Sequence, residues 1–76
     1  MAEWTAVMAN DPDREFALVV EILEDENWRG RIERLSSGDL VVAVYPDADA
    51  LRIPAKWLSD LIASADRELP PLETRV

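Results

Sequence analysis

The sequence predicts a small α+β domain: an antiparallel sheet of four to five strands in meander order, with one C-terminal α-helix packed on one face. Apolar residues alternate with a period of two between residues 16 and 45, clusters of turn-forming residues punctuate that stretch, and a helical period takes over after Pro54. No internal repeat, low-complexity tract or linker interrupts the chain, so residues 1–76 read as a single domain.

The first fourteen residues are ambiguous. Trp4, Ala6 and Met8 alternate with Thr5 and Val7, which favours a strand, although residues 2–9 also suit a short helix; Asn10-Asp11-Pro12-Asp13 is a turn sequence. Residues 16–24 form the next strand, with Phe16, Leu18, Val20 and Ile22 on one side. Asp25-Glu26-Asn27 reads as a three-residue loop, which pairs Val20 with Ile32 and Glu21 with Arg31 and sets Trp28, Gly30 and Ile32 on the apolar side. Ser36-Ser37-Gly38 has the form of a type I turn closed by a left-handed glycine, so residues 40–45 return as a strand, with Val42 opposite Ile32 and Val44 opposite Gly30. Pro46-Asp47-Ala48-Asp49 is a turn, and residues 50–53 suit a short edge strand. Pro54 ends that strand and fits the first position of a helix. From residue 55 to about residue 68, Trp57, Leu58, Leu61, Ile62 and Ala65 recur at helical spacing against Lys56, Ser59, Asp60, Ser64 and Arg67. Arg67 suits the negative end of that helix, Pro70-Pro71 stops it, and residues 70–76 are expected to fray.

One helix covers one face of a sheet. The even-numbered face, Phe16, Leu18, Val20, Ile22, Trp28, Ile32, Val42 and Val44, is the expected core, with Gly30 leaving a gap for Trp57 or Leu61. The other face is expected to be solvated, as in many antiparallel sheets. It nevertheless carries Ala17, Val19, Leu23, Leu35, Val41, Ala43 and Tyr45, relieved by Glu21, Arg29, Arg31 and Glu33. Either these residues lie near strand ends or under the N-terminal segment with Trp4, Val7 and Met8, or the face meets another chain, since exposed apolar patches beyond a few hundred Å² usually mark interaction sites. The candidate interaction face is Val19, Leu23, Arg29, Arg31, Leu35, Val41, Ala43 and Tyr45.

Composition narrows the chemistry. Sixteen Asp or Glu against eight Lys or Arg give a net charge of −8, while a hydrophobic content of 49% is ordinary for a folded domain. Without Cys or His, disulfides, thiolate nucleophiles, imidazole bases and zinc sites built on those ligands are excluded. The acid clusters Glu24-Asp25-Glu26, Asp11 with Asp13, and Asp47 with Asp49 fall at expected turns, where Asp side chains bond to nearby backbone without any catalytic role. The two Asp pairs have the spacing of the first two ligands of a calcium loop but lack its further ligands, its glycine and its distant bidentate Glu. The serines have no His to activate them, and Gly30 with Gly38 cannot build a phosphate loop. The expectation is a protein that is not an enzyme and has no cofactor or metal.

Arg29, Arg31, Arg34, Arg52 and Lys56, near Trp28 and Tyr45, have the residue types of a nucleic-acid reader. A net charge of −8 with acids between the arginines opposes that reading, because phosphate neutralisation drives such binding. No run approaches the roughly eighteen apolar residues of a membrane span, and residues 1–4 lack the features of a secretory signal, so a cytoplasmic location away from membranes is expected. One lysine against seven arginines suggests a bacterial, GC-rich origin. A core of this size seldom supplies more than about 3–5 kcal/mol, which makes burial by a second chain attractive. The functional expectation is a non-catalytic protein-interaction module that binds itself, as a homodimer, or a protein partner through a sheet face or edge. One alternative is an acidic inhibitor or immunity-type protein that meets a basic toxin or nuclease with Asp11, Asp13, Glu24, Asp25 and Glu26. The other is a small-ligand binder or enzyme with a pocket between helix and sheet.

Overall fold

The computed structural model describes residues 2–15, 17–46 and 50–69. The chain runs β1 (Trp4–Asp11), a 3-10 turn (Pro12–Arg14), β2 (Ala17–Glu24), β3 (Asn27–Arg34), β4 (Leu40–Val44) and α1 (Ala55–Glu68). The four strands form one antiparallel meander in the order β1-β2-β3-β4, and α1 packs on one face. The N-terminal alternation is therefore a strand, paired with β2 along its whole length from Trp4 opposite Glu24 to Asp11 opposite Ala17. Residues 50–53 form no strand, so the sheet has four strands among the described residues. The expected turn at Asp47–Asp49, the side of Phe16 in the core and the tail 70–76 lie outside the described residues.

The β2–β3 connection differs from the expected three-residue loop. Asp25 and Glu26 both have positive φ, 49° and 71°, and Glu24 pairs with Asn27, so the turn has two residues in the left-handed twist that hairpins favour. The register then shifts between Ile22 and Leu23: Leu23 lies opposite Trp28, whereas Ile22 lies opposite Gly30. Arg29 is the extra residue of a β-bulge, and beyond it the expected pairs Glu21 with Arg31 and Val20 with Ile32 are restored. The bulge moves Trp28 out of the core set. It is 55% exposed rather than buried beside Ile32.

Asp25 is held in its unusual conformation from both sides: its N–H donates to the Glu3 carbonyl, and its Oδ1 accepts the Glu3 N–H, each at 2.8 Å. Among the described residues Glu26 has no such support, and it is exposed. A left-handed non-glycine residue costs about 1–2 kcal/mol, partly offset by the backbone entropy of glycine. Glu26→Gly is thus expected to raise the unfolding free energy by about 0.5–1 kcal/mol, measured by urea denaturation. The β3–β4 loop is as expected: Gly38 has φ 97°, its N–H donates to the Leu35 carbonyl, and the Leu35 N–H donates to the Asp39 carbonyl.

The core consists of Val20 and Ile22 of β2, Ile32 of β3, and Ala65 and Leu69 at the end of α1. Trp4, Ala6, Leu40, Trp57, Leu58, Leu61 and Ile62 pack around it. Pro54 caps the helix, its carbonyl accepting the Leu58 N–H at 2.9 Å. Two anchors set the helix obliquely on the sheet. At its start the Trp57 ring lies 5.9 Å from that of Trp4 on β1; at its end Arg34 of β3 donates to the carbonyls of Asp66 and Leu69 at 2.9 to 3.2 Å.

A helix about 10 Å across shields two or three strands spaced about 4.8 Å apart, not four. Exposure along β4 follows from this. Leu40, near the Arg34 end, packs on the core, whereas Val42 is 37% and Val44 54% exposed. Leu18, at the margin of the covered area, is also 36% exposed, so these three leave the expected core. Gly30 is no gap for a side chain either. A Cβ there would run into the carbonyl oxygen of Ala43, so the residue permits the close approach of β3 and β4 next to the bulge.

Candidate interaction surface

Among the described residues β4 is an edge strand, bonded to β3 alone. Tyr45 donates its N–H to the Arg29 carbonyl and Asp39 accepts from Leu35, so the backbone groups of the odd-numbered residues face β3. Because backbone bonding alternates along an antiparallel strand, the N–H and C=O groups of Leu40, Val42 and Val44 face away from it. No charged residue lies between Leu40 and Pro46. Natural edges are usually blunted by charge, proline or a bulge within the strand; β4 has none of these before Pro46. It thus presents open backbone beside two exposed valines on the side of the sheet that carries α1.

The opposite face is organised by polar groups. Arg31 of β3 reaches Asp11 of β1 at 2.8 Å and lies 3.2 Å from Glu33, while the Tyr45 hydroxyl donates to Glu21 at 3.0 Å. The strand order puts Val19 of β2 between Arg31 and Asp11, beneath this bridge, and Val19 is only 1% exposed. Leu23, Leu35, Val41, Ala43 and Tyr45 are half-buried around it. Of the expected cross-strand contacts, Glu21 and Arg31 are in register, but Arg31 forms its ion pairs with Asp11 and Glu33. Arg29, in the bulge, pairs with Glu24 at 3.0 Å.

The five candidate acids do not converge. Asp11 is 7% exposed and spends both oxygens internally, one on Arg31 and one on the N–H of Asp13. Glu24 is held by Arg29, which leaves Asp13, Asp25 and Glu26 exposed. Asp13 follows the far end of β1 from the Asp25-Glu26 turn, a separation of about 24 Å from the strand rise of an eight-residue strand.

Burial, and donation of its proton to Glu21, push the phenol of Tyr45 above its ordinary value. Unfolded tyrosine titrates near pH 10, so this contribution to stability is full below about pH 10 and is lost as pH rises through the higher folded value. Tyr45 is the single tyrosine, which makes the absorbance change of phenolate formation a clean readout. The midpoint is expected above 10 in the native protein and lower in Glu21→Gln.

A groove lies between β1 and α1, lined by Ala6, Val7, Met8, Leu61, Ser64 and Glu68 among others. Among the described residues no group of three or more acids is placed to hold a metal ion, and no helix is long and apolar enough to cross a membrane. Sequence reasoning missed the roles of Arg34 and of the β4 valines. Arg34 read as one more basic residue, and Val42 and Val44 satisfy the period-two pattern of a buried face. The available signal was geometric: four strands under one helix leave a strand uncovered. No protein-family model, curated protein or solved structure matches this chain.

Proposed function

We propose that the protein is a non-catalytic interaction module that binds another protein on the β4 side of its sheet. The observation that carries this reading is the exposure of Val42 and Val44 on an uncharged strand whose outer backbone groups face away from the sheet. Exposed backbone supplies hydrogen bonds and the adjacent valines supply apolar area, the two components of strand-mediated recognition. The acid excess speeds encounter with a basic partner.

Affinity capture from the source cell tests this with three baits: the wild-type protein, Val44→Lys and Val7→Lys. Both valines are about half exposed, at 54% and 47%, so each variant is expected to fold. A protein retained by wild type and Val7→Lys but lost from Val44→Lys supports the reading. Identical retention by all three baits contradicts it.

A further inference from the structure

We infer that a second copy of this chain covers the β1 edge, its β1 paired antiparallel about Val7 and its Met8 seated in the groove between β1 and α1. This surface is the opposite edge of the sheet from β4 and goes beyond the interaction reading above. Among the described residues β1 bonds to β2 alone, and its register runs unbroken from Trp4 to Asp11. The Glu3 carbonyl accepts the Asp25 N–H, so the odd-numbered residues of β1 bond to β2. The N–H and C=O groups of Ala6 and Met8 therefore face away from the sheet. Val7 and Met8, whose side chains lie on opposite faces of the strand, are each about half exposed.

Charge and shape select the occupant. No charged residue lies between Trp4 and Asn10, so two copies of a chain of net charge −8 meet along this strand without opposing charges. At the ends of the register Glu3 falls opposite Asp11, whose carboxylate is already held by Arg31. Pairing about Val7 sets Val7 against Val7 and Ala6 against Met8 of the other copy. Pairing about Ala6 or Met8 would instead set small against small or large against large. A residue opposite Ala6 points its side chain to the α1 side, where Ala6, Leu61, Ser64 and Ala65 line the groove. The groove measures about 180 Å³, below the roughly 300 Å³ at which small-ligand pockets begin, and its lining is largely apolar. It suits one flexible apolar side chain, and the two-fold register delivers methionine to it from each copy.

The test is sedimentation equilibrium of the full chain up to about 1 mM, the range in which a weak self-association is populated. The expected result is a monomer–dimer equilibrium that strengthens with salt, because salt screens the repulsion between two copies of charge −8. Val7→Lys, which opposes two lysines, is expected to weaken it at least roughly tenfold, and Val44→Lys on β4 to leave it unchanged. The chain has no cysteine, so single introduced ones report the register. Val7→Cys is expected to crosslink in a glutathione buffer, since facing residues at such a site lie about 4.5 Å apart. Thr5→Cys is expected not to, because Thr5 faces Ala9 and its two copies are about 13 Å apart along the strands. A monomer throughout this range, equal crosslinking of both cysteine variants, or a dimer that survives Val7→Lys or is lost in Val44→Lys would each overturn the inference. None of these outcomes bears on capture through Val44, because a β1 dimer leaves β4 open.

Discussion

Ile32→Ala is expected to leave most of the protein unfolded. Ile32 is fully buried, in register with Val20 on one side and Val42 on the other, and it belongs to the same cluster as Ala65 and Leu69 of α1. Removing its outer carbons forfeits their burial and leaves a cavity that a four-stranded sheet cannot collapse around, a loss of about 2–5 kcal/mol. A single core in a chain of this size supplies about 3–5 kcal/mol. The loss is therefore comparable to the total stability, and far-ultraviolet circular dichroism should show mostly unfolded chain. Ile32→Val, which removes one methylene, is expected to remain folded with a loss of about 0.5–1.5 kcal/mol. Val44→Ala is expected to stay within about 0.5 kcal/mol of wild type, because Val44 is half exposed. Near-wild-type stability of Ile32→Ala would mean that the core lies elsewhere.

Arg34→Met is expected to cost about 2–3 kcal/mol and to loosen the end of α1 before its start. The guanidinium donates to the carbonyls of Asp66 and Leu69, to the Asp66 carboxylate and to the Gly38 carbonyl, joining β3, the β3–β4 loop and the helix terminus. The Asp66 ion pair contributes little, since that carboxylate is 66% exposed. The weight falls on the helix carbonyls, which carry the negative end of the dipole. Arg34 itself is only 12% exposed, which strengthens those bonds. Amide exchange should quicken in the last turn of α1 while the turn around Trp57, held by Trp4, changes least. Arg34→Lys should recover only part of the loss, because one ammonium cannot span three separate carbonyls.

These two residues also show what was legible in the sequence. Ile32 sits in an alternation that names its strand and its face, and the helix period from Trp57 to Ala65 gives α1 to within a residue at each end. Both signals arise from burial repeated along one element. Arg34 sits in a relation between elements distant in sequence, and nothing in its neighbourhood distinguishes it from Arg29 or Arg31. The bulge at Arg29 was hidden for a different reason. A two-residue hairpin turn is announced by Asn-Gly or Asp-Gly, and here Asp25-Glu26 adopts it without glycine, supported by Glu3, which directly precedes β1 and bonds to Asp25. The displaced Trp28 follows from that turn.

The candidate surface was legible in kind but not in place. The excess of apolar residues over what one helix can cover is visible in the sequence. The polar bridge from Arg31 to Asp11 over Val19 occupies the face that alternation left open, while the oblique helix uncovers Val42 and Val44 on the face it shares. The unsatisfied area is on the helix side of β4.

The most direct test of the account is amide hydrogen exchange along β4 in the protein alone. The N–H groups of Val41, Ala43 and Tyr45 bond to β3 and should be protected; those of Leu40, Val42 and Val44 should exchange near the rate of an open chain. That alternation is the expected result of a free edge available to a partner strand. Equal, strong protection of all six amides would show the edge to be already covered, and would contradict the interaction surface.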